Sequence, residues 1–193
     1  MPQSLNYLLN NMHHSGSALI DPRIVFEKIK LANGMKVADF GCGRTGHFVL
    51  PSSKEVGNEG VVYAVDIVKD ALQIVQNTSR DQGCDNVRIV WSDIEIYGKT
   101  AIPVESLDAI FFVNVLFLLK DRQTAIKEAS RLLKKNGFLV IIDWRKSLGP
   151  LGPNEHQLVL ADSVIDWFKQ NRLNLTENSM MSDYHYLLIA QKI

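Results

Sequence analysis

Carboxylates placed where apolar runs end, beside a glycine-rich turn, are the groups of this chain best suited to chemistry. The segment VADFGCGRTGHF (37–48) closes a β-branched run and then offers Gly41, Gly43 and Gly46 before a helical stretch. Gly41 permits a sharp turn, Gly43 leaves bare backbone for a ligand to approach, and Gly46 lets the next helix lie close to the sheet. Free N–H groups at that helix start favour a carboxylate or phosphate. Asp66 ends the following run, twenty residues after Gly46, the spacing at which a carboxylate accepts both hydroxyls of a ribose. Asp39 precedes Gly41 by two residues. There it can orient the loop and receive a ligand ammonium, and it would be unwelcome beside a pyrophosphate. Asp93 closes a third run, where it can accept from the exocyclic amine of adenine. Together these residues predict a site for an adenosine-type cofactor.

Other polar residues lie at the same ends of runs. Asn114 interrupts the apolar stretch 109–119, and Asp143-Trp144-Arg145 follows another run. Asn114 reads as a group facing a cleft or as a strand cap that satisfies its own backbone. Asp143 reads as a general base, a substrate-orienting group or a solvated rim carboxylate. These two are the candidate catalytic residues. Trp144 suits either core packing or the wall of an apolar substrate pocket. His47 could touch a cofactor carboxylate or simply start a helix. Cys42 is read as packing, because no base partner is evident for a thiolate. His13 and His14 lie in an N-terminal segment, 1–20, that could fold over the cofactor as a lid or remain a polar linker.

The elements that must position these groups alternate along the chain. Strands are expected at 36–40, 60–67, 86–93, 107–114 and 137–144, with a final pair at 174–181 and 184–192 around a Ser182-Asp183 turn. Helices are expected from Asp21-Pro22 to about Lys30, and over 68–82, 121–135 and 155–171. The stretch 149–153, with two glycines and two prolines, is a loop. Alternation of this kind predicts a parallel sheet covered on both faces, closed by an antiparallel pair, in a single domain over 21–193.

The segments VADFGCGRTGHF, YAVDI, WSDIE, DAIFFVNVLFLLKD and NGFLVIIDW together resemble class I S-adenosylmethionine-dependent methyltransferases, most closely the small single-domain group of ubiquinone/menaquinone type. The resemblance covers about residues 20–192. It implies a Rossmann-like α/β fold, a seven-stranded sheet of order 3-2-1-4-5-7-6 with strand 7 antiparallel and helices on both faces. It also implies S-adenosylmethionine as cofactor, S-adenosylhomocysteine as product and a small-molecule methyl acceptor. By position, Asp39, Gly41 and Gly43 would line the methionine end, with Gly46 closing the loop. Asp66 would hold the ribose and Ile67 would pack on the adenine. Asp93 and Ile94 would meet the adenine edge, and Asn114 would sit near the methyl-bearing sulfur. Two features depart from the family: Arg44-Thr45 lengthens the usual GxGxG loop by one residue, and Phe117 stands where many relatives carry His.

Two other functions remain compatible with these residues: an NAD(P)-dependent oxidoreductase, favoured by the glycine spacing alone, and a non-catalytic cofactor-binding module. Composition narrows the remainder. The chain has 193 residues, 21 basic against 21 acidic, and is 46% hydrophobic. That balance argues against disorder and against a phosphate-backbone binder. The sequence also lacks an Asn/Asp-Pro-Pro-aromatic motif, and Cys84 lies in a helix-to-strand turn, so nucleic acid substrates are not expected. Two cysteines make no disulfide framework, and the five histidines show no zinc spacing. No signal peptide or membrane span is read, and the expected location is the cytoplasm.

Overall fold

The computed structural model describes residues 19–149 and 152–193. The expected lid segment, with His13 and His14, lies outside the described residues apart from Leu19 and Ile20. Strands and helices follow the alternation of the sequence: α1 (Pro22–Ile29), β1 (Lys36–Phe40), α2 (Val49–Val56), β2 (Val61–Asp66), α3 (Lys69–Asp81), β3 (Val87–Trp91), β4 (Leu107–Val113), α4 (Arg122–Leu132), β5 (Leu133–Trp144), α5 (Ala161–Gln170), β6 (Leu173–Met180) and β7 (His185–Lys192). The seven strands form one sheet of order β3-β2-β1-β4-β5-β7-β6. β1 to β5 pair in parallel, and β7 runs antiparallel to both β5 and β6. Order and direction are those the family resemblance implies.

Successive residues of a strand point to opposite faces, and the central strands carry apolar residues on both, apart from a few polar residues such as Asp39 and Asp143. Val37, Ala109, Phe111, Val140 and Ile142 meet Phe26 of α1, Val49 of α2 and Leu72 and Val75 of α3. Ala38, Phe40, Ile110, Phe112 and Ile141 meet Ala125, Ile126 and Ala129 of α4 and Val164 and Phe168 of α5. Parallel strands covered on both faces leave all their carboxyl ends along one rim, where open α/β sheets bind ligands.

Three boundaries differ from the sequence expectation. The helix expected over 121–135 starts as foreseen, with Asp121 accepting from Thr124 N at 3.0 Å, but ends at Leu132. Leu133 already pairs with Leu107, and the register then jumps to Ala109–Phe138. A Cβ on Gly137 would lie 2.9 Å from the Leu107 carbonyl, so only glycine admits this approach of β5 to β4. The helix expected over 155–171 divides into a 3-10 turn, Glu155–Gln157, and α5. Asn154 and Gln157 bond each other's backbone and close that turn. The chain then runs extended so that Val159, 5% exposed, can enter the core. Finally, β3 stops at Trp91, so Asp93 belongs to the turn beyond it. Among the described residues no helix is long and apolar enough to cross a membrane.

Candidate functional site

The carboxyl ends of β1, β2, β3 and β4 converge on a cavity of about 420 Å³. Its floor is the turn after β1. Gly41 and Cys42 both donate to the Val65 carbonyl, at 2.8 and 3.1 Å, which fastens the turn to β2. Gly41 has φ +74°, and a Cβ there would fall 2.4 Å from the Val115 side chain. Gly43 has φ +60° and nothing within 4 Å of where a Cβ would stand; the backbone is bare on the cavity side.

Asp66, the last residue of β2, ties this turn to the next helix. Its Oδ2 accepts from Gly43 N and its Oδ1 from Val68 N, both at 2.9 Å. Each carboxylate oxygen retains a further lone pair for a ligand. Asp39, inside β1, is 3% exposed and lines the same cavity. No hydrogen bond reaches its carboxylate from the described residues. Burial, reinforced by the neighbouring Asp66 charge, pushes its pKa up to about 8.

The far wall comes from the turn after β3. Asp93 accepts from Glu95 N at 2.9 Å through Oδ1. Ile94 is buried beneath it, while Ile67 is 57% exposed at the cavity mouth. Ile67 is held from behind, because Trp91 donates to its carbonyl at 2.9 Å and Lys69 lies 4.1 Å over the Trp91 ring. Glu95 accepts from Lys120 N and Asp121 N, linking this wall to the start of α4. Asn114 follows β4 with φ +55°, is buried, and donates its backbone N–H to the Ile142 carbonyl at 2.9 Å.

Of the expected cofactor residues, Asp39, Gly41, Gly43, Asp66, Ile67, Asp93, Ile94 and Asn114 line this one cavity; Gly46 does not. A Cβ on Gly46 would stand 3.4 Å from Val49 and Val75, so this glycine serves the packing of α2 and α3. The catalytic reading of Asp143 is also corrected. Asp143 is 1% exposed and lies outside the cavity lining. Its Oδ2 accepts from Leu116 N at 2.8 Å and its Oδ1 from Trp144 N at 2.7 Å. Burial pushes its pKa up to about 7, against the pull of these N–H groups and of Arg122. Asp143 therefore anchors the 3-10 turn Leu116–Leu118 from inside. Trp144 is equally buried and stacks on His185 at 4.3 Å. Phe117 packs against the core, so Leu118 and Leu119 form the wall in its place.

Sequence reasoning missed those two leucines together with Phe48, Val113 and Val115, because an apolar residue facing a cleft reads the same as one facing a core. His47 lines the cavity, with Nε2 2.7 Å from the Ile20 carbonyl. Cys42 is buried beneath the loop, where burial and the Asp39 charge push its thiol pKa up, leaving it inert. Among the described residues no cluster of three or more metal-ligating side chains occurs.

Comparison with known proteins places this arrangement. A family model described as a methyltransferase domain matches residues 31–191. The ubiquinone/menaquinone biosynthesis C-methyltransferase of Hahella chejuensis is 28% identical over 145 residues, covering 75% of this chain and 57% of that protein. The demethylmenaquinone methyltransferase of Staphylococcus aureus is 28% identical over 138 residues, covering 70% and 54%. The chain thus spans little more than half the length of these relatives. The crystal structure of a SAM-dependent methyltransferase from Aquifex aeolicus superposes with a TM-score of 0.83 at 24% identity, covering 97% of this chain and 98% of that one, and so shares the fold.

Proposed function

This chain belongs to the methyltransferase domain family, and from that premise we propose that it transfers a methyl group from S-adenosylmethionine to a small-molecule acceptor. One observation carries the proposal: the buried, unbonded carboxylate of Asp39 faces the same cavity as Asp66 and Asp93. A buried carboxylate beside a second one calls for a cation. The ammonium of an amino-acid tail answers that need. A pyrophosphate would add charge of the wrong sign, so the dinucleotide reading suits the site less well.

Each residue then has a task. Asp39 and the bare backbone at Gly43 hold the amino-acid tail. Asp66, with two N–H groups fixing its orientation, offers lone pairs to the ribose hydroxyls. Asp93 keeps Oδ2 for the exocyclic amine, and Ile67 covers one face of the base. When bound, the cofactor supplies a methyl group already activated on a sulfonium. The remaining work is positioning, which can contribute roughly 7–11 kcal/mol to lowering the barrier. Val113, Asn114, Val115, Leu118 and Leu119 line the cavity and on this reading wall the acceptor side. That wall suits an apolar acceptor, of the kind suggested by the quinone-pathway names of the relatives. In this reading the enzyme works in the cytoplasm. Residues 1–20 act as a lid, tethered where Ile20 meets His47.

Calorimetry with S-adenosylhomocysteine, NAD and NADP tests the proposal. The expected result is binding of S-adenosylhomocysteine alone, sharply weakened in Asp66→Ala. Preference for a dinucleotide, or no binding of S-adenosylhomocysteine, overturns it.

A further inference from the structure

Residues 114–121 run from the carboxyl end of β4 to α4 and carry Leu118 and Leu119, which line the cleft. Apart from the 3-10 turn Leu116–Leu118 this strap has no regular structure, so its place depends on what its polar groups bond. One end is fastened to β5. Asn114 N donates to the Ile142 carbonyl at 2.9 Å, and Leu116 N to Asp143 Oδ2 at 2.8 Å. Arg122 Nε secures the Leu116 carbonyl from α4, at 2.9 Å.

The other end is fastened differently. Lys120 N and Asp121 N, just ahead of α4, meet no backbone carbonyl among the described residues. Both donate instead to one oxygen, Glu95 Oε1, at 2.6 and 2.5 Å. Such bonds are charge-assisted, and the dipole of α4 favours an anion at its start. Glu95 is set in turn by Asp93, whose Oδ1 accepts the Glu95 N–H at 2.9 Å. Asp93, Glu95, Leu118 and Leu119 all line the one cavity. Glu95 is thus a clasp between the turn after β3 and the strap after β4, two segments that no strand pairing joins.

We propose that Glu95 is a positioning residue that makes the acceptor wall answer to the cofactor. The inference rests on the methyltransferase reading, in which Asp93 Oδ2 meets the exocyclic amine of adenine. Adenine held there restrains the turn 92–97. Glu95 carries that restraint to Lys120 and Asp121, and so to Leu118 and Leu119 beside them. A ligand that quiets one end of a clasp removes openings at the other. The acceptor then meets a firm wall only when the cofactor is in place. In this role Glu95 works through two backbone N–H groups and needs no contact with the reacting atoms.

Amide hydrogen exchange resolved by NMR, with and without saturating S-adenosylhomocysteine, tests the coupling in the full chain. In the wild type the ligand should slow exchange at Gly43, in the turn 92–97 and, about fivefold or more, at Lys120 and Asp121. Glu95→Ala should speed the last two amides about tenfold or more without ligand, the loss of bonds to a charged acceptor. This variant should still bind S-adenosylhomocysteine and slow at Gly43, yet show no ligand response at Lys120 and Asp121. Glu95→Asp, one methylene short, should behave like Glu95→Ala. Glu95→Gln, with an oxygen at the same reach, should keep the response, and these two variants decide the matter even where Glu95→Ala fails to fold. The proposal is overturned if the wild type binds S-adenosylhomocysteine without slowing at Lys120 and Asp121. A response retained in Glu95→Ala or Glu95→Asp, or lost in Glu95→Gln, also overturns it. A wild type that does not bind S-adenosylhomocysteine defeats the methyltransferase reading, and this coupling with it.

Discussion

If Asp39 receives the ammonium of the cofactor as proposed, cofactor binding becomes a proton-releasing reaction. With its pKa pushed up to about 8, the carboxyl is mostly protonated at pH 7 until a ligand cation meets it. An ammonium seated against it favours the ionised form and returns the pKa toward the ordinary carboxylate range. Binding of S-adenosylhomocysteine at pH 7 should therefore release close to one proton. Titration calorimetry in phosphate and in Tris, buffers of very different ionisation enthalpy, reads that number directly. Affinity should climb nearly tenfold per pH unit between about pH 5 and 7 and level off above about pH 8. Asp39→Asn should abolish the release and weaken binding. The same group sets a stability trend of opposite sense. Between about pH 4 and pH 8 the folded protein, without added cofactor, holds a proton on Asp39 that the unfolded chain has lost. Stability therefore falls as pH rises through this window, by up to about 1.4 kcal/mol per unit from this group. Asp143, at about 7, adds to the fall over a narrower range, so the difference between wild type and Asp39→Asn isolates Asp39. The variant should be the more stable protein at pH 8. Proton release near zero in the wild type would refute the pairing of Asp39 with a cationic ligand group.

Three further outcomes test other parts of the site. Gly41→Ala combines a φ of +74° with a Cβ 2.4 Å from Val115; a loss of about 2 kcal/mol or more is expected in urea denaturation, together with loss of S-adenosylhomocysteine binding. Asp143→Ala orphans the Leu116 and Trp144 N–H groups. It should cost about 3 kcal/mol of stability while binding, measured well below the melting temperature, changes only a few-fold; complete loss of turnover in a folded variant would restore a catalytic role. Removal of residues 1–18 should weaken S-adenosylhomocysteine chiefly through a faster dissociation rate in stopped-flow displacement, and an unchanged rate would dismiss the lid.

The sequence was most legible where chemistry and backbone geometry coincide. Asp66 and the glycine turn are recognisable because the turn needs positive φ, and because a carboxylate at a strand end serves both the loop and a ligand. The sheet order came from the family resemblance, whereas the strands themselves follow from β-branched runs buried on both faces. The misreadings share a cause: position along the chain does not reveal the direction of a side chain once the regular period ends. Asp143 and Asn114 both stand at strand ends, yet one bonds backbone N–H groups beneath a 3-10 turn and the other lines the cleft. Phe117 and Leu118 are adjacent, but the turn sends the first to the core and the second to the cavity. The helix expected over 155–171 broke for the same reason, since Val159 enters the core only from an extended backbone.

This contrast also explains why the cofactor side is easier to read than the acceptor side. A nucleoside with a charged tail demands carboxylates, and carboxylates are conspicuous when a sequence otherwise fills strand ends with apolar residues. An acceptor attacking an activated methyl group asks mainly for shape and dryness, and on the proposed reading Val113, Val115, Leu118 and Leu119, which line the cavity, would meet that need without a distinctive residue type. No side chain on that wall carries a base, and only Asn114 there is polar. Proton removal, where the acceptor requires it, then falls to the acceptor's own acidity, to solvent, or to a group elsewhere around the cleft such as His47. A plot of log kcat/KM against acceptor pKa separates these routes. A steep dependence that persists in His47→Ala and when residues 1–18 are removed assigns the step to the acceptor itself, whereas a dependence that is shallow in the unaltered chain and becomes steep in one of these variants assigns it to the part that variant lacks.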